Sequence, residues 1–527
     1  MERAVANCRT ALFVVLGVQV GLCAWVLSTR LGFPSDIEWM TGTVLDGIER
    51  ARAGKPTYAA PNEGWIPFLY PPLYTWLGAL LGGSALACRL LSVASVLVQT
   101  AMAAKMTKDL GAPRAGSAIA ALLVIACFSY VGFFYDLERS DTLFGAFVMT
   151  GAALLVAPRR SWSAAAAGAI FGLGLLTKQQ AIFFLGGAFV GLLLADRRRW
   201  RDPLVLAIAF AVVTAPIFIF ENARTNGWFF YYVIALPRSH GLMKSLAAGF
   251  LRDDVLDGFA LVGATLVVPF VARSRGAIIV ASMLVAGFFA AMSSRLHIGG
   301  WFNVRAPWTS FAAVGAAFLA TRGRNSGQLA WLVALMGQVV LWLYDPRTVA
   351  TNASHRGAVD LLRTKVAELE TRGDVLLPSR GHLTKTRHFH VAALADVQRK
   401  EGHVPADLLQ ALHRRAYVAV IDDIRAPAQP ADPTWPPTEL DDFDDARAEL
   451  FASYFVAERL PAASTPMRAP GNPSWVLLPR VRPFDTANNP RARERAGVEM
   501  RLASGIDGKR RPVPAGEIEA LAAVEIP

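Results

Sequence analysis

Two carboxylates, Asp36 and Glu38, stand in the segment Pro34-Ser35-Asp36-Ile37-Glu38, directly after the first long apolar run. A carboxylate beside a bilayer is costly and is usually kept there for function. With an ordinary pKa of about 3.9, an aspartate is ionised at neutral pH and can take a hydroxyl proton. Asp36 equally suits the cap of a helix predicted over 37–52. Glu38 would face another side of that helix, as a supporting group, an acceptor contact or a solvated residue. A third acid, Asp141, opens a later apolar run, with Arg139 near enough for a local ion pair. Lys178 lies in Thr177-Lys178-Gln179-Gln180 between two short apolar stretches. Its ammonium suits a phosphate, or it snorkels toward lipid headgroups. Arg295, His297 and Arg305 flank a stretch containing Gly and Trp, which permits close backbone approach and sugar stacking. Both arginines equally suit interfacial anchors.

The elements that must position these groups are set by composition. Of 527 residues, 54% are hydrophobic and 18% charged, against about 25% charged in a soluble chain. The deficit lies in residues 1–345, where apolar runs alternate with short basic clusters. This is a polytopic membrane protein. Eleven spans are predicted, at 11–29, 86–104, 114–134, 140–157, 162–176, 180–195, 203–220, 255–272, 276–292, 306–320 and 328–344. The first run passes Leu27 without a small-residue cleavage pattern, so a retained helix is expected. The net charge of +12 resides mostly in membrane-flanking Arg and Lys, which excludes nucleic acid as the partner it implies. Arg3/Arg9, Lys105/Lys108/Arg114, Arg159/Arg160, Arg197–Arg201, Arg273/Arg275 and Arg322/Arg324 share one side. By the positive-inside bias that side is cytoplasmic, placing the N-terminus inside and the C-terminal part outside. Asp36, Glu38, Asp141, Lys178 and the 295–305 stretch then fall on the outer face.

From about Asp345 the chain turns polar. Helices near 357–370, 405–414 and 443–453 alternate with short apolar strands near 374–377, 417–421, 454–460 and 474–479, which predicts a small α/β domain. The expected division is a membrane domain 1–345, an α/β domain 346–481 and a polar tail 482–527. Asp422-Asp423 ends a strand, a placement more typical of solvated loop acids than of a metal or nucleotide site. His382, His388, His390 and His403 lack tight metal-ligand spacing, and the four cysteines form no framework. No metal site is predicted.

Six motifs give the set a family likeness: Asp36-Ile37-Glu38; Gly54-Lys55-Pro56-Thr57-Tyr58; Tyr70-Pro71-Pro72-Leu73-Tyr74; Glu138-Arg139-Ser140-Asp141; Gly174 to Gln179; and His297-Ile298-Gly299-Gly300 through Asn303 and Pro307. In this order they resemble the GT-C glycosyltransferases, polytopic enzymes using lipid-phosphate-linked sugars, in the branch of protein O-mannosyltransferases and lipid A aminoarabinose transferases. The resemblance implies an inverting transfer from a polyprenyl-phosphate sugar to a glycan, lipid or protein acceptor. It assigns Asp36 as general base, with Glu38 and Asp141 as the other catalytic acids. It places Lys178, Arg139, His297 and Arg305 at the donor phosphate, and Tyr70, Tyr74, Glu138 and Asn303 at substrate. No cofactor is implied, since a monophosphate leaving group is met by Lys and Arg; a divalent metal stays open. High Ala and Arg usage points to a bacterial inner membrane with the C-terminal domain in the periplasm. A flippase of lipid-linked saccharide and a membrane scaffold are the alternatives. Transporters tend to carry mid-membrane ionisable groups and repeats; the sequence offers neither.

Overall fold

The computed structural model describes all residues except 39, 244, 298–299, 387, 423–442, 461–474 and 481–527. Asp423, Ile298-Gly299, the Pro-rich stretch 426–438 and the tail 482–527 therefore lie outside the described residues. The chain divides into two compact units. The first comprises residues 1–32, 70–226 and 240–350; the second comprises 33–69, 227–239 and the chain from 351.

The first unit is a helical bundle, and each of the predicted spans overlaps a helix, although the one expected over 114–134 ends at Ala126. Glu2–Arg30, Ala85–Asp109, Arg201–Arg224 and Arg275–Arg295 are long and apolar enough to cross a bilayer, and bent pairs raise the candidates to six. Arg114–Ala126, Ser140–Val156, Ser163–Leu175 and Ala181–Ala195 are apolar but short. At about 1.5 Å per residue such helices run roughly 20–26 Å, below a hydrocarbon core of about 30 Å. Ser84 and Ser274 cap their helices by accepting from the amides of Ala87 and Ala277 at 3.1 and 3.3 Å. Small residues let backbones approach: a Cβ at Gly172 would lie 3.0 Å from Val213, and one at Gly191 3.1 Å from the Ile279 backbone.

Buried charge fixes the loop between Arg114–Ala126 and Ser140–Val156. Arg30 meets Asp136 at 3.1 Å and Arg89 meets Glu138 at 2.7 Å, all four side chains fully buried. Arg89 also donates to the carbonyl of Arg30 at 3.0 Å, and Ser92 to that of Leu137 at 2.6 Å. The loop turns through Gly132 at φ +74°, where a Cβ would come within 3.0 Å of Phe302. The helices Glu2–Arg30 and Ala85–Asp109 are thus tied to one loop by ion pairs.

The second unit is the α/β part. Its sheet has the order β1-β2-β4-β3, with β1 (Val375–Leu376) parallel to β2 (Ala419–Asp422) and β4 (Trp475–Pro479) antiparallel to both β2 and β3 (Tyr454–Arg459). Leu362, Val366 and Leu369 of the helix Ala353–Leu369 pack on Val375, Leu377, Ala419, Ile421 and Val476. Residues 33–69 are knitted into this unit: Arg363 donates to the carbonyl of Pro34, and the amide of Glu63 to Asp407 at 2.9 Å. The helix expected from residue 37 begins at Thr41 with Met40 at the cap. Asp36 is therefore not a helix cap.

The loop anchors carry a stability prediction. Arg89→Ala leaves the Glu138 carboxylate buried and uncompensated, so about 3–5 kcal/mol should be lost. Replacing both partners with leucine should lose much less. Thermal unfolding in detergent or nanodiscs measures both, and equal losses would show that the charge pairing is immaterial.

Candidate active site

In the first unit, the helix Ser140–Val156 starts directly after the anchored loop, which places Asp141 in its first turn and Arg139 at its cap position. Lys178 follows the helix Ser163–Leu175, its amide bonded to the Gly174 carbonyl at 2.8 Å. These groups converge. Asp141 Oδ1 accepts from Lys178 Nζ and from Asn303 Nδ2 at 2.9 Å, while Arg139 Nε lies 3.4 Å from Oδ2. Tyr70 closes the cluster: Lys178 sits 5.3 Å from its ring centroid, and Arg139 donates to its hydroxyl at 3.4 Å. Asp141, Arg139, Lys178 and Asn303 are all buried. Two cations around one carboxylate leave a local excess of positive charge, which is the electrostatic requirement for an anionic ligand.

The other predicted positions of this unit lie elsewhere or serve other contacts. Glu138, adjacent in sequence, is held by Arg89. Tyr74 is buried, its hydroxyl 3.5 Å from the Cys88 carbonyl. His297 pairs its backbone with Leu242 and is partly exposed. Arg305 is committed to Asp254 at 2.7 Å and to the carbonyls of Asp253 and Tyr130, with its guanidinium 3.6 Å from the Tyr130 ring centroid. Arg295 shares Asp254 at 3.0 Å and donates to the Gly300 carbonyl at 2.6 Å. These contacts favour a structural anchor for both arginines.

In the second unit, Asp36 is buried and each oxygen is held. Ser35 Oγ donates to Oδ1 at 2.6 Å, with His382 Nε2 at 3.5 Å, and Arg380 Nε donates to Oδ2 at 3.1 Å. Burial alone pushes this carboxyl upward; the Arg380 guanidinium, then His382 and Ser35, outweigh it and hold the group well below the usual carboxylate range. Glu38 is also buried and accepts from the amide of Met40 at 3.2 Å.

Residues 67–220 match the sequence profile of a family described as dolichyl-phosphate-mannose-protein mannosyltransferase. Among solved structures, the chain is similar to the archaeal oligosaccharyltransferase AglB from Archaeoglobus fulgidus, in complex with an inhibitory peptide and a dolichol-phosphate. That match has a TM-score of 0.52 and 10% identity, and covers 84% of this chain and 72% of the other. The chain is also similar to ArnT from Cupriavidus metallidurans bound to undecaprenyl phosphate, with a TM-score of 0.48, 16% identity, and coverage of 68% of this chain and 72% of that one. No curated protein matches. The profile match covers less than a third of the chain, and the AglB match shows a shared fold, the GT-C type polytopic helical fold.

The matched region holds Tyr70, Tyr74, Glu138, Arg139, Asp141 and Lys178, but not Asp36. Sequence reading missed the partners: Arg380 and His382 for Asp36, Asp254 for Arg305, and Arg30 and Arg89 for Asp136 and Glu138. Arg30, at the end of the first apolar run, is the kind of charge whose position signals a buried partner. Nothing local points from Asp36 to Arg380.

Arg305→Lys separates anchoring from phosphate contact. Lysine cannot reproduce a planar fork that bonds Asp254 and two carbonyls while stacked on Tyr130. The variant should melt several degrees lower, with affinity for polyprenyl phosphate within about twofold of wild type per folded molecule, since an anchor contributes structure and not ligand charge. A large affinity loss at unchanged melting temperature would return Arg305 to the phosphate.

Proposed function

We propose that this protein is a GT-C glycosyltransferase that moves a sugar from a polyprenyl-phosphate carrier to an acceptor hydroxyl, with inversion, at the outer face of a bacterial inner membrane. The observation that carries the reading is the buried cluster in which Lys178 and Arg139 share the single carboxylate of Asp141. Its surplus charge suits the phosphate that leaves with the electron pair of the sugar C1–O bond. Asp36 takes the proton of the acceptor hydroxyl as its oxygen bonds to C1. A single displacement of this kind inverts the anomeric centre. Asp141 and Asn303 orient Lys178, and Tyr70 offers a ring for sugar or lipid. The presence of dolichol-phosphate and a peptide on AglB agrees with a polyprenyl-phosphate donor and leaves a peptide among the acceptor classes. Because Lys and Arg supply the charge that a monophosphate needs, the reading calls for no cofactor. The basic clusters of the short loops support a cytoplasmic N-terminus and a periplasmic C-terminal part.

The test uses purified protein in nanodiscs with a panel of polyprenyl-phosphate sugars and a crude cell-envelope acceptor. Release of free polyprenyl phosphate is followed for wild type, Asp36→Asn and Lys178→Met. Wild type should release the carrier from one donor. Asp36→Asn should fall by about 10²–10⁴-fold, the range for loss of a general base. Lys178→Met should raise KM for the donor. Full activity of Asp36→Asn would remove the base assignment, and no release from any donor would shift the reading to flipping or scaffolding.

A further inference from the structure

We infer that Arg380, on the C-terminal side of the chain, is a positioning residue for the transferase base, holding the Asp36 carboxylate in one orientation and one charge state. The inference rests on the assignment of Asp36 as that base and extends it to a residue 344 positions away in sequence.

The segment that delivers Arg380 is itself fixed. It leaves β1 through Leu377 and Pro378, and the amide of Arg380 bonds back to the Leu377 carbonyl at 3.2 Å. Leu383 and Thr384 donate their amides to the carbonyls of Arg380 and Gly381 at 2.9 and 3.0 Å, closing a short turn, and Val391 donates to Pro378 at 3.0 Å. Gly381 belongs to this turn because a Cβ there would come 2.9 Å from the His388 carbonyl. Across from it, a Cβ at Gly42 would come 2.8 Å from His382 Nδ1, so the helix Thr41–Arg52 packs directly on the turn. Arg380 and Asp36 are each about 1% exposed. A guanidinium so held has little freedom, and its Nε–H meets Asp36 Oδ2 while Ser35 and His382 take Oδ1.

The charged groups facing this carboxylate come from several elements. Arg380 and His382 belong to the turn after β1. Asp46 of the helix Thr41–Arg52 approaches Gly381, where a Cβ would lie 3.4 Å from its Oδ2. Arg363 of the helix Ala353–Leu369 reaches the Pro34 carbonyl, and Glu38 stays on its own segment with Met40. Arg380 is the largest of the influences that oppose burial, followed by His382. Without it, burial governs and the carboxyl rises. A base must be ionised to act, so activity is lost as pH falls through its pKa. In wild type that loss lies at strongly acid pH; without Arg380 it moves up into the working range.

The experiment is the pH profile of carrier release between about pH 4 and 9 in nanodiscs, for wild type, Arg380→Gln, Arg380→Lys and Asp36→Asn. Arg380→Gln should bring the acid limb up into this window, a rise of several pH units, because burial then governs and raises a fully buried carboxyl by up to about 3–5 units above its free value. Arg380→Lys, which keeps the charge and loses the fork, should bring the limb part of the way back. A folded Arg380→Gln enzyme that is slower at every pH with its limb unmoved would overturn the inference. If that variant does not fold, His382→Gln decides: a smaller upward movement supports the arrangement and an unmoved limb overturns it. Asp36→Asn separates the two readings. If it is fully active, the base assignment falls; if it is inactive while the Arg380 variants leave the limb in place, only the positioning role falls.

Discussion

Buried charge pairing is the constraint on which the membrane unit depends. Arg30 with Asp136 and Arg89 with Glu138 sit in full burial on one loop, where each charge alone would cost several kcal/mol. Neither pair is expected to add much net stability over an apolar substitute. What the pairs supply is registry, since ion pairs with fixed geometry admit only one seating of the loop on the helices Glu2–Arg30 and Ala85–Asp109. The next residues, Arg139 and Asp141, inherit that seating. The placement of the polar cluster is therefore a consequence of charges one turn earlier in the chain.

Among the described residues of the same unit, buried charges gather around Asp136 and Glu138, around Asp254 and around Asp141, and their balance differs. Around Asp136 and Glu138 the charges balance. Around Asp254, Arg295 and Arg305 add up to one more cation than anion, but their donors go to the carbonyls of Gly300, Asp253 and Tyr130 and their planes to Phe302 and Tyr130. Around Asp141 the surplus is of another kind. Lys178 is a compact charge with rotatable donors, joined to Asp141 and facing the Tyr70 ring. A cation so placed can keep Asp141 and still face a phosphate, whereas the arginines at Asp254 give most of their donors to that carboxylate and to backbone carbonyls. Basic residues that look alike in the sequence thus differ by how completely their donors are used.

The helices were legible because a run of apolar residues in a membrane protein has few other solutions, and the strands of the α/β part because short apolar runs stand out in polar sequence. The helix Val391–Glu401 was not, since its first turns mix Ala, Val and Asp with no strong period. Apolar character alone does not distinguish a helix of 13 residues from one that reaches both surfaces, so it fixes where the helices lie and not how many of them cross. In the site, Arg139 beside Asp141 could be read from local spacing. The hold on Asp36 could not. Its alternative as a helix cap rested on local rules, and the chain instead delays the helix to Thr41 and spends the carboxylate on Arg380. Local spacing predicts what a residue is able to do; partners hundreds of positions away decide what it does.

A carboxylate held this far into its ionised state is a weak proton acceptor at equilibrium, and that bears on the transfer proposed. In a displacement with an oxocarbenium-like transition state, departure of the leaving group runs ahead of attack, and the acceptor hydroxyl becomes strongly acidic only as its oxygen bonds to carbon. The demand on the base is then to be charged and aimed, more than to be strong. As the proposed base, Asp36 would meet both demands: its carboxyl is held well below the usual carboxylate range, and Ser35 on one oxygen and Arg380 on the other fix its orientation. The difficult part of the reaction is left to separation of charge at the phosphate. There, in the transfer proposed, a lysine and an arginine sharing one carboxylate would contribute what a stronger base could not.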